Sequence, residues 1–381
     1  MTDARPSLRV GMVCPYSFDV PGGVQNHVLG LARYLRQAGH RPYVLAPGEL
    51  GHSAGDLEDF ASVGTAMPVP YNGSVARVNF GPLSAARVRR WLRNGRFDLI
   101  HIHEPITPSI SLLALWAAER PIVATFHTAT PRSRCMRLAG GVLRAAIEKI
   151  DVGIAVSESA RNVVVQHLGR DAVVIPNGIR FDDFAQRPIA GSPRSSQQSR
   201  LVFIGRRDEP RKGVEVLLAA APLIRKARPN LEVIVAGQGS RPLPAWCRSL
   251  GTINDQDKIA LLSSANVFIA PQLARESFGI VLLEAMASGV QIVASDLPSF
   301  VDLLGAPQNE RRLGEVFTVG DPRALARAVL RVLHHPNPLR AARAQRAARS
   351  YDWSRVGTDI VAIYRAALSA APTERMGSGI G

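Results

Sequence analysis

A chain of 381 residues, 46% hydrophobic and 20% charged, is long enough for two globular domains with separate cores. It has no run of roughly 18 apolar residues that would span a membrane. Its first residues lack the basic and apolar regions of a signal peptide, so a cytoplasmic protein is expected. The net charge of +15 indicates a polyanionic partner: nucleic acid, an anionic membrane surface or a phosphorylated substrate.

The first predicted elements form the start of a parallel sheet. A buried strand at 8–14 is followed by a turn-rich loop that contains Gly22 and Gly23. A helix comes next, with apolar residues every three or four positions, and then a strand at 41–46. Glycines between a strand and a helix let a ligand approach the backbone N–H groups of the helix N-terminus, although a plain tight turn would also explain them. The Gly-x-Gly-x-x-Gly pattern of dinucleotide-binding proteins is absent.

The alternation of strands and helices continues through two domains. The first domain is predicted over 1–185, and the second over 186–354 after a linker rich in Pro, Gly, Ser and Gln at 187–200. The C-terminal helix, about 355–381, is predicted to cross back onto the first domain. We therefore expect an α/β protein with two doubly wound, Rossmann-like domains that face an interdomain cleft. The predicted strands after the first two are 98–102, 122–126, 152–156, 173–175, 201–204, 231–236, 267–270 and 292–294.

Two cations follow the first strand of the second domain. Arg206 and Lys212 come just after strand 201–204, at the carboxyl edge where α/β sheets bind ligands. Cations fixed there would neutralise a diphosphate and stabilise it as a leaving group. The alternative is a solvated basic loop that Asp208 and Glu209 partly balance.

Two glutamates bracket the start of an apolar helix in the stretch 275–289. Glu276 lies in a loop, and Glu284 lies within the apolar helical run. A carboxylate in such a run is costly to bury without a partner. Either both carboxylates face a polyhydroxylated ligand at the helix N-terminus, or they are solvated or capping residues.

Histidines mark the carboxyl edge of the first domain. His127 ends the strand 122–126, and His101 and His103 alternate along the preceding strand. A metal site of His101, His103 and Glu104 is one interpretation, but no further ligand set is evident, and we predict no metal.

A basic amphipathic helix at 83–96 carries Arg87, Arg89, Arg90, Trp91 and Arg93. Such a helix is typical of a membrane-surface contact, and the alternative is a helix that packs on the core through Trp91 and its apolar neighbour. The chain shows no helix-turn-helix or RNA-binding signature, so nucleic acid is not an expected partner.

Three blocks in this order resemble the retaining GT-B glycosyltransferases of family four. They are Gly22-Gly23, the stretch 203–206 with Lys212-Gly213, and the stretch 276–279 with Glu284. The stretches 13–25, 70–77, 101–105, 124–128 and 208–213 resemble the branch of that family that transfers mannose to phosphatidylinositol. This resemblance runs from about Leu8 to Tyr364.

The resemblance implies a GDP-mannose donor, a phosphatidylinositol acceptor, retention of configuration and no cofactor. The enzyme would be peripheral on the inner face of the plasma membrane, docked on anionic phospholipid through the basic helix. Implied catalytic residues are His127, Arg206, Lys212 and Glu276. Implied donor-binding residues are Gly23, Arg206, Lys212, Asp255, Lys258, Glu276, Phe278, Gly279, Ile280, Val281 and Glu284. Implied acceptor-binding residues are Tyr16, Asp19, Gln25, Asn72, Arg77 and His127. The alternatives are a family-four enzyme with a UDP-sugar and another acceptor, and a non-catalytic lipid- or nucleotide-binding protein of the same fold.

Overall fold

The chain forms two compact units in a computed structural model. One unit comprises residues 1–178 and 353–381, and the other comprises 179–352. Asn72 and most of the predicted linker lie outside the described residues. The structure describes residues 6–20, 22–49, 59–71, 74–128, 140–185, 199–274, 276–306, 308 and 310–370.

The first unit is built on a seven-stranded parallel sheet with the order β3-β2-β1-β6-β7-β8-β9. The order reverses between β1 and β6, which makes their carboxyl ends the ligand-binding edge expected of a doubly wound sheet. A separate antiparallel hairpin, β4-β5, was not predicted from the sequence. The elements of this unit are β1 (Arg9–Val13), α1 (Gly23–Gln37), β2 (Arg41–Ala46), β3 (Phe60–Ser62), β4 (Met67–Tyr71), β5 (Ser74–Val78), α2 (Pro82–Asn94), β6 (Leu99–His103), α3 (Ile110–Ala117), β7 (Ile122–Phe126), α4 (Gly140–Glu148), β8 (Val152–Ala155), α5 (Glu158–Leu168), β9 (Val173–Val174) and the C-terminal α13 (Trp353–Ala370).

The second unit contains a six-stranded parallel sheet with the order β12-β11-β10-β13-β14-β15. Its order reverses between β10 and β13, so the loops after these two strands lie at the corresponding edge. Its elements are α6 (Phe181–Phe184), β10 (Arg200–Ile204), a 3-10 turn (Pro210–Lys212), α7 (Val214–Ala227), β11 (Glu232–Ala236), β12 (Cys247–Gly251), α8 (Asp255–Ser264), β13 (Val267–Ala270), α9 (Ile280–Ala287), β14 (Gln291–Ser295), α10 (Pro298–Leu304), β15 (Glu315–Phe317), α11 (Pro322–His334), α12 (Pro338–Ala348) and a second 3-10 turn (Arg349–Tyr351).

The unit boundary differs from the predicted position after residue 185. Residues 179–185 belong to the second unit, because Phe181 and Phe184 are buried in its core. The C-terminal helix α13 belongs to the first unit, where Trp353, Ile360 and Tyr364 join the core that covers β1 and α1. Burial of large apolar side chains thus decides both crossings of the chain between the units.

Candidate active site

The loop after β10 and the loop after β13 meet closely in the second unit. Gly213 ends the 3-10 turn with a left-handed φ of 72°, and any side chain there would collide with the carbonyl of Pro271. This approach brings Lys212 Nζ to 2.8 Å from Glu276 Oε2, with Arg211 Nη1 3.7 Å from the same oxygen. Two cations therefore hold the Glu276 carboxylate at the ligand-binding edge.

Arg206 lies at the same edge and forms an ion pair with Glu209, Nη1 to Oε1, at 2.9 Å. Glu209 is buried and also pairs with Arg211 at 2.7 Å. Asp208 instead accepts a hydrogen bond from the backbone N–H of Ser240 at 2.9 Å. Glu209, one of the two acids that the sequence suggested as counterions, thus holds Arg206 and Arg211 in fixed positions.

Glu284 is buried in α9 and meets a cation from α8. Lys258 Nζ lies 2.7 Å from Glu284 Oε1 and 3.3 Å from Asp255 Oδ1. Burial raises the pKa of Glu284, and the charge of Lys258 opposes this rise. Among the described residues, Glu284 Oε2 meets no hydrogen-bond partner. A buried acceptor without a donor is costly, so this oxygen is suited to a ligand hydroxyl.

The N-terminus of α9 lies between the two glutamates. Gly279 precedes the helix with φ 94°, where a side chain would collide with the Phe300 ring. The Phe278 ring packs near Tyr351, with centroids 5.8 Å apart. Phe278, Gly279, Ile280 and Val281 therefore lie at the first turn, whose N–H groups have no partner within the helix and favour an anion.

Three predicted acceptor residues lie together in the first unit. Tyr16 forms an antiparallel β-bridge with Val78. The backbone N–H of Ser17 donates a hydrogen bond to the carbonyl of Arg77 at 2.9 Å. Asp19 accepts hydrogen bonds from the N–H of Glu49 at 2.9 Å and from the hydroxyl of Ser17 at 2.7 Å. The bond from Glu49, helped by Ser17 and the charge of Arg77, lowers the pKa of Asp19.

Gln25 fixes the loop before α1, and its role in acceptor binding stays a prediction. Its side chain is buried, and Nε2 donates to the carbonyls of Ser17 at 3.0 Å and Val20 at 3.1 Å. Both amide N–H groups are thus used to fix the loop before α1. Gly23 is the first residue of that helix, and Gly22 precedes it in an extended conformation.

His127 follows β7 and is held from two sides. Its Nε2 lies 3.0 Å from His103 Nδ1, and its backbone N–H donates to Glu104 Oε1 at 2.7 Å. Glu104 also accepts from the hydroxyl of Thr128 at 2.8 Å. Burial, together with neighbouring histidines, lowers the pKa of His127 well below its ordinary value. The ring is therefore neutral at physiological pH.

Sequence reasoning missed His27, which α1 places beside the histidines of β6 and β7. Its ring centroid lies 4.9 Å from that of His127 and 5.5 Å from that of His103. His101, which the sequence grouped with His103, instead contacts Tyr364 and Thr125 at 2.7 Å each. The only sequence signal for His27 was its position on the apolar face of α1, next to the buried Val28.

The basic helix α2 is present, and its Trp91 also contacts the sheet. The side chains of Arg87, Arg89, Arg90 and Arg93 are exposed. Trp91 turns inward, where its indole lies against Phe97 with centroids 4.4 Å apart and beside Gly11. It therefore helps to anchor the helix on the sheet, as in the alternative left open by the sequence, and its contact with lipid stays a prediction.

Exposed apolar side chains near α2 were not anticipated. Leu83 is 76% exposed, Phe80 45% and Trp116 42%, and the last two rings are 6.4 Å apart. Clustered apolar surface of this kind marks an interaction site more often than single exposed residues do. No helix in the described part of the chain is both long and apolar enough to cross a bilayer.

Comparisons with known proteins agree with this architecture. Residues 21–183 match the model of Glycosyltransferase Family 4, and residues 198–335 match that of Glycosyl transferases group 1. The chain is 46% identical to a phosphatidyl-myo-inositol mannosyltransferase of Propionibacterium freudenreichii, over 97% of both chains.

The chain belongs to the phosphatidyl-myo-inositol mannosyltransferase family.

A second family member, from Mycolicibacterium smegmatis, is 46% identical over 94% of this chain and 93% of its own. Among solved structures, Anabaena HepE in complex with UDP and glucose matches with a TM-score of 0.74 and 19% identity, over 94% of this chain and 100% of that chain. Membership of this family makes the chain a glycosyltransferase. The family models and the structural match show that its fold is GT-B.

Proposed function

We propose that this enzyme transfers a mannosyl group from GDP-mannose to phosphatidyl-myo-inositol, with retention of anomeric configuration. The observation that carries the proposal is the 46% identity to family members over nearly the full chain. The chemistry of both units supports it. The second unit holds fixed cations and carboxylates suited to a nucleotide sugar, and the first unit holds a polar cluster suited to a polyol phosphate.

On the donor side, each group has a chemical task. Arg206 and Lys212 would neutralise the diphosphate, whose negative charge grows as it leaves. Glu276, fixed by two cations, would accept hydrogen bonds from the sugar hydroxyls. Glu284 Oε2 would accept from the ribose, which removes the cost of its missing partner. The first turn of α9 would bind phosphate through its backbone N–H groups.

On the acceptor side, Arg77 and the neutral His127 would receive the inositol phosphate headgroup, and Asp19 would accept from inositol hydroxyls. We propose attack on the same face from which the diphosphate departs, through an oxocarbenium-like state. The leaving phosphate then takes the acceptor proton, and no cofactor enters the reaction. A sugar covalently trapped on a side chain of this enzyme would contradict this route.

A donor and acceptor assay tests the proposal directly. The purified enzyme is incubated with phosphatidylinositol vesicles and, in turn, GDP-mannose, UDP-glucose and UDP-N-acetylglucosamine. We expect a glycolipid product with GDP-mannose and little or none with the UDP-sugars. A product with a UDP-sugar alone would favour another family-four activity, and no turnover with any donor would favour a binding protein of the same fold.

We further propose that the enzyme docks on the inner face of the plasma membrane through α2. Its exposed arginines would contact anionic headgroups, and its Leu83, with the nearby Phe80 and Trp116, would enter the interface. A lipid acceptor and a net charge of +15 favour such a surface over other polyanions.

A further inference from the structure

Buried polar atoms in the core of the first unit lack a hydrogen-bond partner of ordinary geometry among the described residues. They include His103 Nε2 and both ring nitrogens of His27, and the side chain of Asn177 lies close to His27 and His127. His27 is 2% exposed and His103 is fully buried. Buried polar groups in proteins nearly always have partners, so a cluster without them requires an explanation. A metal ion that takes one lone pair from each imidazole would account for part of it.

The rings are arranged for such a ligand. One nitrogen from each of His27, His103 and His127 lies within 4.8 Å of the others. Zinc bonds imidazole nitrogen at about 2.1 Å in a tetrahedral site, so its ligand nitrogens lie about 3.4 Å apart. Small side-chain rotations would bring the three nitrogens from their present separations to the spacing of a zinc site.

We propose that His27, His103 and His127 form a binding site for a zinc-class divalent metal ion. Three imidazoles with one open position are the ligand set that zinc, cobalt and copper favour over magnesium or calcium. Water or the carboxamide oxygen of Asn177 would take the fourth position.

Metal binding would also affect turnover, a consequence that rests on the function proposed above. If His127 receives the acceptor headgroup, a metal on its ring excludes that headgroup. Zinc would then act as an inhibitor that competes with phosphatidylinositol and does not compete with the nucleotide sugar.

The site is tested by binding, with no need for activity. Metal-stripped full-length enzyme is titrated with Co²⁺ at pH 7.5, and the visible d–d absorption of four-coordinate cobalt is followed. Zn²⁺ is then added to displace the cobalt. We expect one strong site per chain, with its spectrum abolished by stoichiometric zinc.

Matched variants assign the site to these residues. His27→Gln should weaken cobalt binding by more than the about 10- to 100-fold typical of outer-shell changes, because it removes a direct ligand. The control His334→Gln/His335→Gln removes two exposed histidines of the second unit and should leave the spectrum unchanged. Circular dichroism checks that each variant is folded, and His103→Gln provides a second ligand deletion if His27→Gln is not.

The outcomes separate the two proposals. Absence of the four-coordinate spectrum in the native enzyme, or equal binding in the folded ligand variants, would overturn the metal site. A spectrum that depends on His27, combined with no zinc inhibition of lipid mannosylation, would uphold the metal site and count against the proposed role of His127.

Discussion

At the residue scale, each of the two glutamates in the candidate site of the second unit forms an ion pair with a lysine. Glu276 pairs with Lys212, and Glu284 pairs with Lys258. The first pair joins loops at the carboxyl ends of two strands, and the second joins two helices. The pairs therefore fix both carboxylates before any ligand binds, which reduces the cost of ordering them in the complex.

The Lys212–Glu276 pair gives the first prediction. We expect Glu276→Gln and Lys212→Ala each to lower kcat/KM by about 100- to 1,000-fold, because each removes a preorganised charge from the transition state. Steady-state mannosylation of phosphatidylinositol vesicles measures the loss.

The control for this pair is Glu232→Gln. Glu232 forms an ion pair with Arg200 at 2.8 Å, also between neighbouring strands, but at their amino ends. The kcat/KM of the Glu232→Gln variant should equal that of the native enzyme. Full turnover in both Glu276→Gln and Lys212→Ala would show that the candidate site is misplaced.

The Lys258–Glu284 pair gives a prediction about stability. Lys258→Met leaves a buried carboxylate without its cation, which should lower the free energy of unfolding by about 3 kcal/mol at pH 7.5. Urea unfolding measures it. The control Lys226→Met changes an exposed lysine and should stay within about 0.5 kcal/mol of the native value.

The deficit of Lys258→Met should shrink as the pH falls. Burial already raises the folded-state pKa of Glu284 above the ordinary value of 4.5, and loss of Lys258 raises it further. Glu284 then binds a proton more tightly in the folded state than in the unfolded state. Acidification therefore favours folding of the variant between the raised pKa of the folded state and the ordinary pKa of the unfolded state. A deficit that grows on acidification would contradict this assignment.

The sequence predicted the residue types at this edge but not their pairing. A cation after one strand and an acid after another are visible in a single sequence, because parallel strands end at one edge. The contact of Lys212 with Glu276 depends on the approach of Gly213 to Pro271, which no local pattern encodes. His27 was missed for the same reason, since an apolar helix face does not reveal which strand it covers.

At the element scale, α2 combines an inward face and a charged face. The buried Val88 and the inward Trp91 hold the helix on its unit, while four arginines remain exposed. The sequence predicted this helix and its charge. It did not predict the adjoining hairpin β4-β5, because Pro68 and Pro70 interrupt the strand pattern and remove backbone donors.

Membrane docking gives the third prediction. We expect the triple variant Arg89→Ser/Arg90→Ser/Arg93→Ser to lose about 1 kcal/mol of anionic-vesicle binding per arginine, or roughly 100-fold in total at low salt. Vesicle sedimentation measures the loss, which should narrow as salt screens the charges.

An equal loss of charge elsewhere serves as the control. Arg323→Ser/Arg327→Ser/Arg331→Ser removes three exposed arginines from α11. If both triple variants bind equally weakly, net charge and not α2 governs docking. Leu83→Ser should reduce the binding that persists at high salt, since that part comes from apolar contact.

At the scale of the whole molecule, the two units differ in chain continuity. The second unit is one uninterrupted segment, whereas the first requires both ends of the chain. Alternation of strands and helices was enough to predict two doubly wound sheets. It could not locate the crossing points, because those depend on which core buries Phe181, Phe184 and Trp353.

This arrangement gives the fourth prediction. A chain that ends at residue 352 lacks α13, which supplies Trp353, Val356, Ile360 and Tyr364 to the first core. We expect the first unit to lose cooperative unfolding, while the second keeps its own transition. Fluorescence of variants that keep a single tryptophan distinguishes them, since Trp246 lies in the second unit and Trp91 in the first.

The matched control is a chain that ends at Ala370, which keeps all of α13 and should unfold like the full-length protein. Cooperative unfolding of the first unit in the chain that ends at residue 352 would show that α13 is dispensable for that core.

The position of α13 also has a consequence for synthesis on the ribosome. Residues 1–178 of the first unit are made before the second unit, yet the helix that completes their core is made after it. The second unit, encoded between them, has all its strands before α13 exists. The order in which the two units mature is therefore the reverse of the order in which they begin. Until α13 has been made, the nascent first unit exposes the apolar face that this helix will cover, and in that interval it depends most on chaperones.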